Sequence, residues 1–204
     1  MSFNLSRLFR KSNSSEIIIV SGLPRSGTSM MMKMLASAGL EILTDNLRTA
    51  DENNPKGYYE FERVKQLKQG DFDWLPDARG KVVKIISALL EYLPNQYQYK
   101  IIFMRRNMDE VLSSQRQMLV RDGKQDDKVP DEKLAGLYGD HLKKIETWLE
   151  QQPNIHTLYI SYNQVLQDPA ADLNRLNQFL GGNLDIKPML QVVDKNLYRE
   201  RRSS

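Results

Sequence analysis

The chain has 204 residues, of which 40% are hydrophobic and 27% charged, a balance typical of one soluble globular domain and incompatible with wholesale disorder. Its 29 basic and 26 acidic residues leave a net charge of +3, too small to demand a nucleic-acid or membrane partner. The chain lacks cysteine, which excludes disulfides and cysteine catalysis, and its two histidines do not suggest a metal site. No segment has the length and apolar character of a membrane span or a signal peptide, so the cytoplasm is the expected location.

Residues 1–15 are polar, partly basic and rich in serine and asparagine, which predicts a flexible N-terminal arm before a single domain over 16–204. The first strong element is the β-branched run Ile17 to Val20, typical of a buried strand. A glycine-bounded loop follows, and then Thr28 to Ala38 has the periodicity of a helix.

The rest of the chain repeats this alternation of short apolar strands and amphipathic helices. Further strands are predicted over 81–86, 100–104 and 156–160, and helices after Asn107, over 131–150, from Asp168-Pro169 and near 187–193. Asn107 with Glu110 has the pattern of a capping box, and Leu137 is expected to face the core. The predicted fold class is therefore α/β, a three-layer α/β/α domain with a mainly parallel central sheet, like the P-loop NTPases.

The loop between the first strand and helix has the skeleton of a phosphate-binding P-loop. Gly22 to Ser29 reads GLPRSGTS, with four residues between the glycines. Amides of such a loop, the helix N-terminus and the hydroxyls of Thr28 and Ser29 suit an anion of phosphate geometry. Nucleotide-hydrolysing P-loops carry lysine at the position of Thr28, whereas here the cation is Arg25 inside the loop. With no carboxylate predicted at a strand end to hold magnesium, the pattern disfavours ATP or GTP chemistry.

A second cationic feature, the pair Arg105-Arg106, ends the predicted strand over 100–104. Because the carboxyl ends of parallel strands share one edge of a sheet, we expect this pair beside the P-loop and beside Ser161-Tyr162. Two arginines there suggest a second phosphate-sized group. The alternative is that they form surface salt bridges with Asp109 or Glu110.

These segments resemble those of sulfotransferases that use 3′-phosphoadenosine 5′-phosphosulfate (PAPS). Residues 23–29 look like the family's loop for the 5′-phosphosulfate, and 101–114 look like its 3′-phosphate motif of arginine followed eight residues later by serine. That register selects Arg106 and Ser114; the register one residue earlier selects Arg105 and Ser113. Arg106 is preferred because Asn107 follows it, as in the family, and Ser114 borders the apolar face of its helix.

A third match, Tyr162 to Pro169, is similar to the family's Tyr-Glu-Asp segment, although its Glu-Asp is replaced by Asn163-Gln164. Residues 54–60 look like those of bacterial members. The resemblance implies that PAPS is the donor, that adenosine 3′,5′-bisphosphate (PAP) is the product and that no metal is needed. It implies cofactor-binding roles for the following residues: Arg25, Ser26, Gly27, Thr28, Ser29, Arg106, Ser114, Tyr162 and, in the basic tail, Arg199.

The acceptor hydroxyl also needs a general base. Asp45 falls where carboxylate-using relatives have theirs, and Glu60 is the alternative, with Asp51 and Glu52 behind them. His141 and His156 match no family motif and are interpreted as structural or exposed. Arg25 is assigned the electrostatic part of the catalysis.

The sequence thus predicts metal-independent transfer of a sulfuryl group from PAPS to a hydroxyl or amine of a small molecule. Two other hypotheses stay open here: a P-loop kinase or nucleotidase, and a non-catalytic nucleotide-binding protein with the same fold.

Overall fold

A computed structural model describes residues 15–45, 59–121, 123 and 129–193. At its centre is a sheet of four strands in the order β2-β1-β3-β4, and every neighbouring pair is parallel. The strands span the following residues: β1 Ile17–Gly22, β2 Val82–Lys84, β3 Tyr99–Arg105 and β4 Ile155–Ser161. The predicted α/β class with a parallel sheet is confirmed.

Helices connect the strands, as a parallel sheet requires. The α-helices in the described part of the chain are α1 Thr28–Ser37, α2 Met108–Arg121, α3 Asp131–Glu150, α4 Tyr162–Gln167, α5 Pro169–Phe179 and α6 Ile186–Val192. Among the same described residues, three 3₁₀ helices span Glu62–Gln69, Pro76–Ala78 and Ser87–Tyr92. At the start of α5, Asp168 caps the helix by accepting from the Ala170 amide, and Pro169 occupies the first turn, where its missing N–H costs nothing.

The alternation of side chains along each strand divides the core into two layers. Ile17 and Ile19 of β1 lie on one face of the sheet, with the 3₁₀ helices and α3. Ile18 and Val20 lie on the other face, with α1, α4, α5 and α6. Helices therefore cover both faces and form the predicted three layers, and the β1–α1 loop emerges at the carboxyl edge between them.

Three local expectations were wrong. The predicted strand over 81–86 is shorter, because the chain turns into the 3₁₀ helix Ser87–Tyr92 after Lys84 and Ile85. Helix α4 was missed, since its six residues are too few to show a period. Leu137 is 55% exposed, because α3 packs against the sheet only through its C-terminal half, around Ile145 and Leu149.

Candidate functional site

The β1–α1 loop is closely packed between neighbouring elements at both of its glycines. Gly22 has φ +143°, and a Cβ there would lie 2.6 Å from the Met104 carbonyl oxygen of β3. Gly27 has φ +97°, and a Cβ there would lie 2.3 Å from Cδ2 of Tyr162 on α4. Within the loop, the buried Ser26 hydroxyl donates to the Leu23 carbonyl at 2.7 Å. The described residues provide no side-chain cap for α1, whose amides begin at Thr28. The loop thus has the amide-rich helix start that binds phosphate groups.

Arg25 connects this loop to α2 and to the residue that follows β3. Its backbone is in the left-handed region, with φ +70°, where a non-glycine residue is strained. Its Nε donates to Oγ of Ser114 on α2 at 2.9 Å, and its carbonyl accepts from Nη1 of Arg106 at 3.0 Å. Arg25, Arg106 and Ser114, which are 89 residues apart at their extremes, therefore form one cluster.

The two neighbouring arginines at the end of β3 diverge. Arg106 has an almost buried side chain, donates from Nε to Glu110 at 2.9 Å, and stacks 4.5 Å from the centre of the Tyr162 ring. Arg105 turns away, pairs with Glu146 of α3 at 2.7 Å and stacks on Tyr159. The structure therefore brings Arg106, and not Arg105, to the P-loop. Arg106 does pair with Glu110, one of the two alternative partners, but this ion pair is nearly buried and is not the surface salt bridge of that alternative.

Glu110 does not complete the predicted capping box. The Asn107 side chain caps α2 by accepting from the Asp109 amide at 3.0 Å, but the Asn107 amide donates to Oδ1 of Asn163. Both oxygens of the Glu110 carboxylate accept from Nδ2 of Asn163 at 3.0 Å, and one also accepts from Arg106. A charged donor competes for a carboxylate better than a neutral amide does, which explains the missing contact. Asn163, at the position where the family has an acidic residue, thus supplies an amide that donates to the Glu110 carboxylate.

Tyr162 is a buried residue that packs against the cluster of Arg25, Arg106 and Ser114. Its ring lies against both Gly27 and the Arg106 guanidinium, and it belongs to the core layer that contains α1. Burial raises the pKa of the phenol, with the nearby arginines opposing and Glu110 adding to the shift, so the hydroxyl is neutral at physiological pH. The predicted adenosine-contacting residue therefore lies in direct contact with two other predicted cofactor residues.

The two candidate bases lie on the opposite side of the loop, beyond β2. Ile42 pairs with Val82, so residues 42–45 run along the outer edge of β2 toward its carboxyl end. Oδ2 of Asp45 accepts from the Glu62 amide at 2.6 Å, while Glu60 lies 3.5 Å from Nζ of the nearly buried Lys84. Lys84 was not predicted as a site residue, because a lysine ending a three-residue strand has no distinctive pattern.

The two histidines differ in their surroundings. His141 on α3 places Nε2 2.9 Å from Oγ of Ser87, and burial lowers the pKa of its imidazole, with Glu91 opposing and Lys144 adding to the shift. His156 is exposed on β4. The interpretation of His141 as structural or exposed did not include the Ser87 contact, because that contact joins residues 54 positions apart.

Some predicted residues fall outside the described part of the chain, namely Arg199, Asp51 and Glu52. Within the described ranges, no group of three or more histidine or acidic side chains is arranged to hold a metal ion. No helix among the same residues has both the length and the hydropathy that crossing a bilayer requires.

Comparisons with known proteins now define the class. The family model described as the sulfotransferase domain matches residues 15–204, so the chain belongs to the sulfotransferase domain family. More narrowly, it is a PAPS-dependent sulfotransferase, as its three motifs predicted.

Solved structures of other sulfotransferase domains share the fold. The domain from the curacin biosynthetic pathway is 19% identical, with a TM-score of 0.53 over 90% of this chain and 79% of that domain. The domain of the Synechococcus PCC 7002 olefin synthase is 16% identical, with a TM-score of 0.51 over 95% of this chain and 86% of that one. A comparison with curated proteins yields no match.

Proposed function

We propose that PAPS binds along the carboxyl edge of the sheet, with its 5′-phosphosulfate on residues 25–29 and its 3′-phosphate on Arg106 and Ser114. The observation that carries this proposal is the contact of Arg25 with both Arg106 and Ser114, which joins two anion-binding segments from different elements. Tyr162 would contact the adenosine from below. Arg199 is proposed to approach the 3′-phosphate from the basic tail.

Arg106 suits a phosphate that distinguishes PAPS from ordinary adenine nucleotides. Its guanidinium is oriented by Glu110, by the Arg25 carbonyl and by the Tyr162 ring, so little conformational entropy remains to be lost on binding. A planar guanidinium beside a serine hydroxyl can donate several hydrogen bonds to one phosphate. Nucleotides without the 3′-phosphate would leave these donors without the charged partner.

Arg25 is proposed to stabilise the charge that develops during transfer. The bond between sulfur and the phosphate oxygen of PAPS breaks, a new bond from sulfur to the acceptor oxygen forms, and negative charge accumulates on the leaving phosphate. Arginine stays protonated, so Arg25 supplies charge and not a proton. Because its Nε donates to Ser114 in this structure, the side chain has to turn toward the sulfate to act. These cationic and amide donors replace the role that a metal ion has in nucleotide hydrolysis.

The proton of the acceptor is proposed to pass to Asp45, with Glu60 as the alternative. The strand order puts both carboxylates on the β2 side of the P-loop and the 3′-phosphate residues on the β3 side. This arrangement leaves the acceptor to approach from the β2 side. The acceptor is proposed to be a small molecule, and the cytoplasmic location and bacterial type inferred from the sequence stay predictions.

The assignment of the base is tested by substitution of the two carboxylates. Asp45→Asn should lower the transfer rate by roughly 10²-fold while PAP affinity stays within about twofold, because a general base contributes to the chemical step. Glu60→Gln is the matched variant. Normal turnover in Asp45→Asn together with a large loss in Glu60→Gln would assign the role to Glu60.

The donor site is tested with three single substitutions, comparing transfer from PAPS and calorimetric binding of PAP. Arg25→Ala should abolish measurable transfer, a loss of at least roughly 10²-fold. Arg106→Ala should weaken PAP binding by about 10- to 100-fold, the value of a charged hydrogen-bonding group. Arg105→Ala is the control, because that side chain faces Glu146. Unchanged PAP affinity in Arg106→Ala would contradict the assignment.

A further inference from the structure

Asn163, one residue after Tyr162 at the start of α4, connects α4 to the start of α2. Its Nδ2 donates to both oxygens of the Glu110 carboxylate at 3.0 Å, and its Oδ1 accepts from the Asn107 amide at 3.2 Å. These contacts give the amide one orientation, because a flipped amide would turn its oxygen toward the carboxylate and its NH₂ toward the Asn107 N–H. The side chain therefore joins the two segments that supply Arg106 and Tyr162.

The contact with Glu110 is important because that carboxylate is removed from water. The Glu110 side chain is 7% exposed, and a buried carboxylate is costly unless hydrogen bonds replace its hydration. Arg106 supplies such a bond from Nε at 2.9 Å. The Asn163 amide donates to both carboxylate oxygens and adds no charge of its own. Glu110 is thus held in position for Arg106 by a side chain from a second helix.

An acidic side chain at position 163 would act differently in these surroundings. Aspartate has the size of asparagine and could still accept from the Asn107 amide, but it can donate to Glu110 only when it is protonated. When ionised, it would put a second negative charge at hydrogen-bond distance from Glu110. Two carboxylates that close share a proton more readily than both ionise. The amide of Asn163 avoids this competition.

We propose that Asn163 is a positioning residue of the 3′-phosphate subsite, which acts through Glu110 to orient the Arg106 guanidinium with one counter-charge instead of two. This inference rests on the proposed function, because it takes Arg106 as a ligand of the 3′-phosphate. A second carboxylate beside Arg106 would neutralise more of the guanidinium charge and would repel the phosphate. Asn163 acts on the affinity for the donor without contact with it.

The groups around this contact make a pH profile informative. Arginine stays protonated, and burial raises the pKa of the Tyr162 phenol, so neither residue type changes charge near neutral pH. The charged and titratable groups that face the contact are Arg25 of the P-loop, Arg106 at the end of β3, Glu110 of α2 and Tyr162 of α4. A pH dependence that appears only in Asn163→Asp therefore reports the new pair of carboxylates.

The experiment measures calorimetric binding of PAP to the full chain from about pH 5.5 to about pH 8.5. Each affinity is divided by that of the wild type at the same pH, which removes the titration of the PAP phosphates. Asn163→Asp should bind PAP about 10-fold more weakly than the wild type at the high end and within about threefold at the low end, where the two carboxylates share a proton. Gln164→Glu is the matched control, because it adds the same charge at the next, exposed position, and its ratio should stay within about twofold of one throughout.

An exchanged pair separates positioning from packing. Glu110→Gln combined with Asn163→Asp keeps one carboxylate and one amide at the two positions, so PAP affinity should return to within about threefold of the wild type, with a flat ratio across the pH range. Asn163 is not a positioning residue if Asn163→Asp follows the wild type at every pH, or if the exchanged pair binds PAP no better than Asn163→Asp at high pH. In either case the donor site stands. If PAP does not bind to the wild type, the proposed function is wrong and this inference falls with it.

Discussion

Arg105 and Arg106 show how one position along the chain decides the role of a side chain. Adjacent residues at a strand end point to opposite faces of the sheet. Arg105 lies two residues after Phe103, on the same face of the sheet, which α3 covers, and it contacts Glu146 and Tyr159. Arg106 lies on the opposite face, which α1 covers, and contacts Tyr162. The same residue type is therefore a surface ion-pair member at one position and a part of the proposed donor site at the next.

The ion pairs of these arginines should differ in their contribution to stability. Glu110→Gln should lower the free energy of unfolding by roughly 1–3 kcal/mol, because it leaves the nearly buried Arg106 without its counter-charge. Glu146→Gln should cost under about 1 kcal/mol, because Arg105 is 49% exposed and its ion pair is screened by water. Urea denaturation of the free protein measures both. Equal losses in the two variants would show that burial does not set the strength of the Arg106 pair.

At the scale of elements, the turn from β1 into α1 is determined by what packs against it. Gly27 has a positive φ and also lies against the Tyr162 ring, so two independent constraints require a residue without Cβ. Gly39, after the end of α1, has φ +88°, but a Cβ there would meet no atom within 4 Å, so only the first constraint applies.

Gly27→Ala should accordingly destabilise the protein more than Gly39→Ala. The backbone strain costs about 1 kcal/mol at either position, and the clash with Tyr162 should raise the cost at Gly27 to at least about 3 kcal/mol. PAP binding should be lost as well, since relief of the clash moves the ring or the loop. Thermal denaturation with a PAP titration tests this, and equal stability of the two variants is the contrary result.

At the scale of the molecule, the proposed donor site depends on the convergence of three parts of the chain. Residues 25–29 follow β1, Arg106 and Ser114 follow β3, and Tyr162 follows β4, and the parallel order β1-β3-β4 brings all three ends to one edge. A ligand that contacts all three segments binds the folded state alone and must stabilise it against unfolding.

PAP should therefore raise the melting temperature. At a concentration of about 100 times its dissociation constant the stabilisation is about 2.7 kcal/mol, or roughly 5–10 °C for a domain of this size. The shift should persist with EDTA present and be much smaller with ATP and magnesium. Arg106→Ala should reduce the PAP shift, and a larger shift with ATP and magnesium would indicate the kinase hypothesis instead.

Much of this arrangement could be predicted from local patterns. Neighbouring residues alone were enough to predict the strand–loop–helix over 17–38, the cap at Asp168 and the choice of Arg106 and Ser114. The structure has the strand, the helix and the cap, and it brings Arg106 and Ser114 to the loop. The capping box at Glu110 failed because a distant arginine and Asn163 compete for the carboxylate. The prediction that Leu137 faces the core was wrong, because helical periodicity does not tell how far along α3 the packing extends.

The sequence by itself determined the parallel α/β class, the phosphate loop and the motifs of the family, because each is encoded by residues close together in the chain. Only the tertiary structure decided that Asn163 contacts Glu110, that Lys84 lies beside Glu60, and that His141 reaches Ser87. These pairs join residues 24 to 54 positions apart. Their contacts depend on strand order and on helix packing across the sheet, and no local pattern of residues records either.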